Sequence, residues 1–403
     1  MEHEKKQPIW TKSFISISLS NFFIFIAFYG LLASLPIYVL DELHRSELDA
    51  GLVVTIFLLS AIIVRPFSGK LLADYGKKRM LMISLLLFTV CSFLYLWIDQ
   101  YALLLVLRFF HGMWFSIATT ATGAIAADLI PLKRRGEGLG YFVMSTNLAV
   151  VFGPLISLTL IQAASFKILF LVFAVLISVG LLITATSKVK ELQQATTETK
   201  KRLQFSDLID QKALPVAFIG SLVAFSYSSV LSFLSIYAKE LNLLDAASFF
   251  FVVFAVVMLI ARPFSGRLFD TKGPHFIIYP ALALFFIGLF LLSITHTSFM
   301  LLLSGAFIGL GYGTVVPSLQ TLAVQATDRH RSGHATATFF TLFDTGLAIG
   351  SYVLGIVATQ LGYSTLYFIT TLFMIVVVIF YKLVLHRKKG AAALNLEESN
   401  TSI

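Results

Sequence analysis

Residues Arg65–Arg79 read RPFSGKLLADYGKKR, and residues Arg262–His275, offset by 197 positions, read RPFSGRLFDTKGPH. The offset extends well beyond this stretch. It carries Gly69 to Gly266, Gly76 to Gly273, Gly112 to Gly309, Arg134 to Arg331, Gly136 to Gly333 and Gly153 to Gly350. Nearer the start of each half it drifts to 199, where Ile37-Tyr38 falls on Ile236-Tyr237. A chain of 403 residues that repeats itself at this distance is two copies of one unit.

Composition says what kind of unit. The chain is 58% hydrophobic and 13% charged, about half the charge of an ordinary soluble domain. Ser13–Leu40, Gly138–Phe166, Ala213–Ala238, Gly273–Thr327 and Thr345–Tyr381 contain no Asp, Glu, Lys or Arg. A bilayer crossing takes about 20 apolar residues, so the two longest stretches each hold more than one. The apolar runs predict an all-α polytopic membrane protein with twelve transmembrane helices. They lie near 14–39, 48–69, 80–98, 101–129, 138–160 and 166–187, then near 213–238, 246–268, 275–295, 298–325, 333–360 and 363–385. The first run is too long for a signal peptide and lacks a small-residue cleavage site, so it reads as a retained helix. The implied domains are a first half at 1–187, a polar linker at 188–212, a second half at 213–385 and a polar tail at 386–403. The tail reads as disordered. The linker reads as a solvated connector or, over RLQFSDLI, as a short amphipathic helix on the membrane.

The net charge of +9 is not spread evenly. Outside the helices, 24 basic residues fall on one side of the membrane and only Arg45, Lys167 and Lys239 on the other. Lys and Arg collect on the cytoplasmic side, which predicts that both termini and the linker are cytoplasmic. The charge is a topology signal, and nucleic acid is not an expected partner. Cys91 is the single cysteine, so no intrachain disulfide or cysteine metal site is expected. No nucleotide-binding loop is present. Two six-helix copies in the same orientation imply a pseudo-twofold axis along the membrane normal, with a binding site at mid-depth.

Three stretches resemble the major facilitator superfamily. Gly69-Lys70-Leu71-Leu72-Ala73-Asp74-Tyr75-Gly76-Lys77-Lys78-Arg79 resembles its loop motif between the second and third helices. Leu107-Arg108-Phe109-Phe110-His111-Gly112 resembles its fourth-helix motif, with His111 where Gln is usual. Ala149-Val150-Val151-Phe152-Gly153-Pro154 resembles the fifth-helix motif of its drug:proton antiporters, with Ala149 in place of the first Gly. The resemblance implies the twelve-helix major facilitator fold, two pseudo-twofold halves, and a monomeric multi-pass protein of a bacterial cell membrane. It also implies small-molecule substrate and protons as partners, with no cofactor and no enzymatic activity.

In the loop motif, Gly69 permits close helix approach and Gly76 a tight turn. Asp74 brings a negative charge to the positive dipole end of a helix such as the eleventh, near Gly333. Arg79 is placed to pair with Asp128. These residues form a candidate cytoplasmic gate, against the plainer reading that Lys77, Lys78 and Arg79 only set topology. The second copy departs from the pattern: Thr271 stands where Asp74 stands, Asp270 comes one place earlier, and Pro274-His275-Phe276 replaces the basic triplet. The expected gate is therefore asymmetric, with its anion in the first copy. Gly153, Pro154, Gly346 and Gly350 are expected to serve helix packing.

Unshared polar residues are the candidates for a coupling site. Arg65 and Arg262 occur in both copies about a turn from a helix end, where long side chains snorkel to the headgroups. Arg108 has Gly305 as its counterpart and lies about 10 Å inside its helix. A charge at that depth costs about 3 kcal/mol on the gentlest scale, so it should face the interior and line the cavity. His111 follows on the same face, as a working group or a neutral packed one, with Phe115 and Thr119 below. Asp344, the counterpart of Asn147, sits about 16 Å from Gly333 along the eleventh helix. Burial favours the neutral form of a carboxyl group, so Asp344 can alternate between protonated and charged states, or stand as a fixed partner for an Arg. Asp344, Arg108, His111 and Asn147 form the candidate proton and substrate site.

The leading expectation is a proton-coupled exporter of small amphipathic molecules. A proton-linked transporter of a polar metabolite, such as a sugar, organic anion or metallophore, is the alternative. An intramembrane enzyme or a receptor is remote, because no nucleophile–base set and no second intramembrane acid accompanies Asp344.

Overall fold

The computed structural model describes residues 8–187 and 208–401. Most of the linker expected at 188–212 therefore lies outside the described residues. The described chain is helical throughout, in twelve long helices: α1 (Lys12–Asp41), α2 (Glu47–Tyr75), α3 (Lys77–Leu94), α4 (Tyr101–Leu129), α5 (Arg135–Ala163), α6 (Phe166–Thr186), α7 (Leu214–Glu240), α8 (Leu244–Lys272), α9 (Pro274–Ser293), α10 (Ser298–Gln325), α11 (Ser332–Leu361) and α12 (Tyr363–Thr401). Short 3-10 turns, Leu132–Arg134 and Arg329–Arg331, precede α5 and α11. Eleven of the helices are long and apolar enough to cross a membrane. The exception is α3, whose 18 residues begin with Lys77-Lys78-Arg79. The last helix continues past the expected crossing to Thr401, where the sequence predicts a disordered tail; the run GAAALNLEE is rich in helix-forming residues.

Local chemistry sets the boundaries. Thr11 caps α1 through its side chain, and Ser46 and Asp49 form a reciprocal capping box at the start of α2. Gly76 and Gly273 take φ of 89° and 86°, a left-handed conformation that lets α2 reverse into α3 and α8 into α9 within one residue. Proline at the start of α7 and α9 occupies a position where no backbone N–H is needed.

The chain divides into two compact units. The first comprises Met1–Asp210, Arg262–Lys272 and Val324–Thr341, so it holds the first six helices together with the basic ends of α8, α10 and α11. Within it α1 packs most extensively on α5, and α2 on α4. Buried Asn21 ties three helices: its Nδ2 donates to Ser145 Oγ (2.9 Å) and Thr146 Oγ1 (3.0 Å), and its Oδ1 accepts from Thr122 Oγ1 (2.9 Å). The second unit comprises Gln211–Ala261, Gly273–Ala323 and Leu342–Ile403. There α12 packs on α10's neighbour α9 and on α7, Tyr367 donates to the Ser229 carbonyl (3.1 Å), and Tyr227 stacks on Tyr312 at 3.7 Å.

Candidate functional site

The repeated motif ends α2 and α8, and both ends lie in the first unit. Gly69 meets the start of α11: a Cβ there would stand 2.9 Å from His334 Cα. Gly266 meets the start of α5, where a Cβ would stand 2.6 Å from Glu137 Cα. His334 and Glu137 are themselves 197 residues apart, so the two crossings are the same contact made twice. Backbone-to-backbone approach of this kind requires glycine.

The charges added to the two crossings differ. In the second copy Asp270 lies four residues after Gly266, about 40° around the helix, and faces the same neighbour. Its two carboxylate oxygens accept the N–H groups of Gly136 (2.8 Å) and Glu137 (2.9 Å), capping an α5 start that has no side-chain cap of its own. Glu137, 6% exposed, accepts from Arg134 (2.8 and 2.9 Å) and from Arg267 Nε (3.0 Å), which binds α8 again to α5.

In the first copy Asp74 lies five residues after Gly69, about 140° around the helix. It is exposed and pairs with Lys70 of its own helix at 4.0 Å. The expectation that Asp74 meets the start of α11 is thus corrected: Asp270, set aside in the sequence as a departure, makes the anion-to-helix contact, and it does so at α5. The pairing expected of Arg79 is also corrected. Lys77 Nζ takes Asp128 (2.5 Å) and Ser332 Oγ (2.6 Å), and Ser332 donates on to Asp128 (2.9 Å), whereas Arg79 is exposed. Lys77 opens α3 directly after Gly76, so the turn aims it at α4, and Arg79 points elsewhere.

A further lock was not legible as such. Asp210, at the linker's end, is 2% exposed; it accepts from Thr327 Oγ1 (2.8 Å) and Arg331 Nε (3.0 Å), and its N–H donates to Thr338 Oγ1 (2.8 Å). Arg65 and Arg262 do not snorkel. Both are buried, Arg65 donating to Thr119 (3.4 Å) with its guanidinium 5.3 Å from the Phe340 ring.

The intramembrane candidates separate. Arg108 is fully buried inside the first unit, so the expectation that it lines an open cavity is corrected. Its Nε donates to the Val53 carbonyl of α2 (3.1 Å), its Nη1 to Tyr95 just past the end of α3 (3.4 Å), and the guanidinium lies 4.1 Å over Phe57. His111, also fully buried, stacks on Phe88 at 4.1 Å and bonds Ser92 and Tyr95, each at 3.1 Å. Beneath it Phe115 packs on Phe28 and Phe57. Asn147 is buried in α5, and its Nδ2 has no hydrogen-bond partner among the described residues. Asp344 lies in α11 within the second unit and is half-buried. The packing glycines take close helix contacts: Gly153 on Ile26 and Tyr29 of α1, Gly346 on Ser221 and Gly350 on Phe225 of α7, with Pro154 inside α5.

A crossing motif made twice on a chain of apolar helices marks a polytopic membrane protein built from a repeat, and comparison with known proteins places it in a family. The model of the Major Facilitator Superfamily matches residues 17–351 and 246–402, so the chain belongs to that superfamily. It is 25% identical to Multidrug resistance protein MdtG of Enterobacter lignolyticus over 98% of this chain and 97% of that one. It is 26% identical to an MFS-type transporter of Methanocaldococcus jannaschii, covering 86% of this chain and 92% of the other. The crystal structure of the human organic anion transporter MFSD10 superposes with a TM-score of 0.81 at 15% identity, over 93% of this chain and all of that one, which confirms the fold. The chain is a multi-pass membrane transporter, not an enzyme.

Proposed function

We propose that this transporter is a proton-coupled exporter of small amphipathic molecules, working as a monomer by alternating access with both termini cytoplasmic. The observation that carries the reading is the set of locks at the basic helix ends. The contacts there are glycine crossings joined by ion pairs and a carboxylate cap, polar groups that water can solvate once the crossings part, with apolar contacts such as Phe269 on Gly136 and Leu72 beside Gly333 around them. Such a closure is reversible. The amphipathic substrate class and outward direction are supported by the full-length likeness to a multidrug resistance protein.

Coupling is assigned to Asp344, with Arg108 as the fixed charge of the other half. A proton site whose affinity differs between two access states ties proton flow to substrate flow. The test is transport in proteoliposomes under an imposed pH gradient, with ethidium, a sugar and a metal chelate as probes. Driven movement of ethidium that Asp344→Asn abolishes is the expected result. Gradient-driven movement of the sugar or the chelate alone would favour the polar-metabolite reading, and unchanged pH dependence in Asp344→Asn would remove its proton role. Labelling of single cysteines at Thr196 and Ser248 in intact cells tests the orientation: reagent should reach Ser248 from outside and not Thr196.

A further inference from the structure

Arg108, Tyr95, His111 and Ser92 form a closed string in which every proton has one place. The Ser92 hydroxyl donates to the Phe88 carbonyl (2.8 Å), so toward His111 Nε2 it only accepts, and Nε2 carries a proton. The neutral ring then presents a lone pair at Nδ1, which the Tyr95 hydroxyl meets as donor. The Tyr95 oxygen in turn accepts from Arg108 Nη1. The donor and acceptor inventory thus assigns one tautomer.

Among the described residues the surroundings hold no compensating acid. Facing the ring are Arg108 on its own helix, Ser92 and Phe88 from α3, Tyr95 just past the end of α3, and Phe57 from α2. The Cys91 thiol neighbours Tyr95, and α6 brings Phe170 against it. Asp and Glu in the first six helices are confined to their ends, at Asp41, Glu47, Asp49, Asp74, Asp128 and Glu137. A proton added at Nδ1 would make the Tyr95 oxygen accept from two cations in a dry interior. The string in this arrangement holds one positive charge. Arg108 Nη2, however, is buried with no acceptor among the described residues, so the guanidinium is incompletely held where it stands.

Resting on the proton-coupled reading, we infer that Tyr95 is a positioning residue linking Arg108 to a second proton site at His111. While Arg108 donates to Tyr95, His111 stays neutral. When α3 and α4 shift enough to break that bond, a proton from water forms an N–H bond at Nδ1 and the Tyr95 hydroxyl turns to accept it. Re-forming the Arg108–Tyr95 bond expels the proton to water.

The ring can be read directly in full-length protein labelled with 15N-histidine in lipid nanodiscs, with the His111 signals identified by their loss in His111→Gln. Between pH 5.5 and 8 the wild-type ring should be neutral with its proton on Nε2. Arg108→Gln should bring a titration into that window. Arg108→Met, which removes the same charge with an unbranched apolar side chain, should do the same and carries the measurement if Arg108→Gln does not fold. A proton on Nδ1 in the wild type, or a ring that stays neutral in both variants, would overturn the inference. In proteoliposomes, His111→Gln and Tyr95→Phe should each lose about tenfold of pH-driven ethidium flux, and more of it than of gradient-free exchange. Driven flux kept in full by both variants would overturn the coupling role. Absence of driven flux in the wild type would instead overturn the proton-coupled reading, with the ring spectra still deciding the string.

Discussion

The two copies of RPFSG make the same crossing and then diverge by one residue. In both, a glycine sits against the third residue of a facing helix. After Gly266 the carboxylate arrives at the fourth position and caps that helix; after Gly69 it arrives at the fifth and pairs with its own helix instead. The first copy closes by another route, through Lys77, Asp128 and Ser332. Helical phase, and not the presence of an acid near a glycine, decides which copy carries the anion-to-dipole contact.

The largest effect should come from the crossing itself. Gly266→Val puts a side chain where a Cβ alone would come within 2.6 Å of Glu137 Cα. Overpacking of this kind costs about 1–3 kcal/mol, a shift of about five- to 150-fold against the locked arrangement. Ser68→Cys in a Cys91→Ser background is a suitable reporter, because Ser68 is fully buried beside Gly69. Its labelling should accelerate accordingly, and an unchanged rate would separate the crossing from the gate.

Asp270→Asn comes next. It keeps the shape and one acceptor oxygen but loses the charge; hydrogen bonds to charged groups are worth about 1.5–3 kcal/mol, so about tenfold faster labelling is expected. Moving the carboxylate in the first copy sharpens the point: Ala73→Asp with Asp74→Ala restores the fourth-position phase beside Gly69. That double variant should slow labelling several-fold, by adding to α11 a cap like the one α5 has. If it speeds labelling, the phase argument fails.

Lys77→Met should matter where Arg79→Met does not. The first removes the bridge from α3 to Asp128 and Ser332 and should raise labelling about fivefold, as expected for a part-buried charged contact of about 1 kcal/mol. Arg79→Met should stay within about twofold. The smallest effect belongs to Asp74→Asn, expected within about twofold of wild type, because its partner Lys70 lies on the same helix at 4.0 Å and Asp74 itself is exposed. A large Asp74 effect with a small Asp270 effect would invert the comparison.

The sequence by itself determined that the chain is a twelve-helix membrane protein built from a repeat, and which superfamily it resembles. The fold class and the repeat follow from composition, period and covalent geometry, and the resemblance rests on the three quoted motifs. Charge-free runs longer than a bilayer is thick leave no other fold class, and a glycine that must take positive φ marks its turn wherever it stands. The sequence also found Arg108, His111, Asn147 and Asp344, because a polar residue in an apolar run is conspicuous. It did not find what they touch. Arg108 was expected at a cavity and stands among α2, α3 and α4, since its neighbours come from residues 13 and 55 positions away. Tyr95 and Ser92 look like ordinary helix-end residues until α3 lies against α4. Asp270 looked like a defect in a motif, Lys77 like one of three equivalent bases, and Asp210 like part of a solvated linker. Tertiary structure decided all of these, because a hydrogen bond needs a partner within about 3 Å and an aligned direction, and linear spacing specifies neither between separate helices.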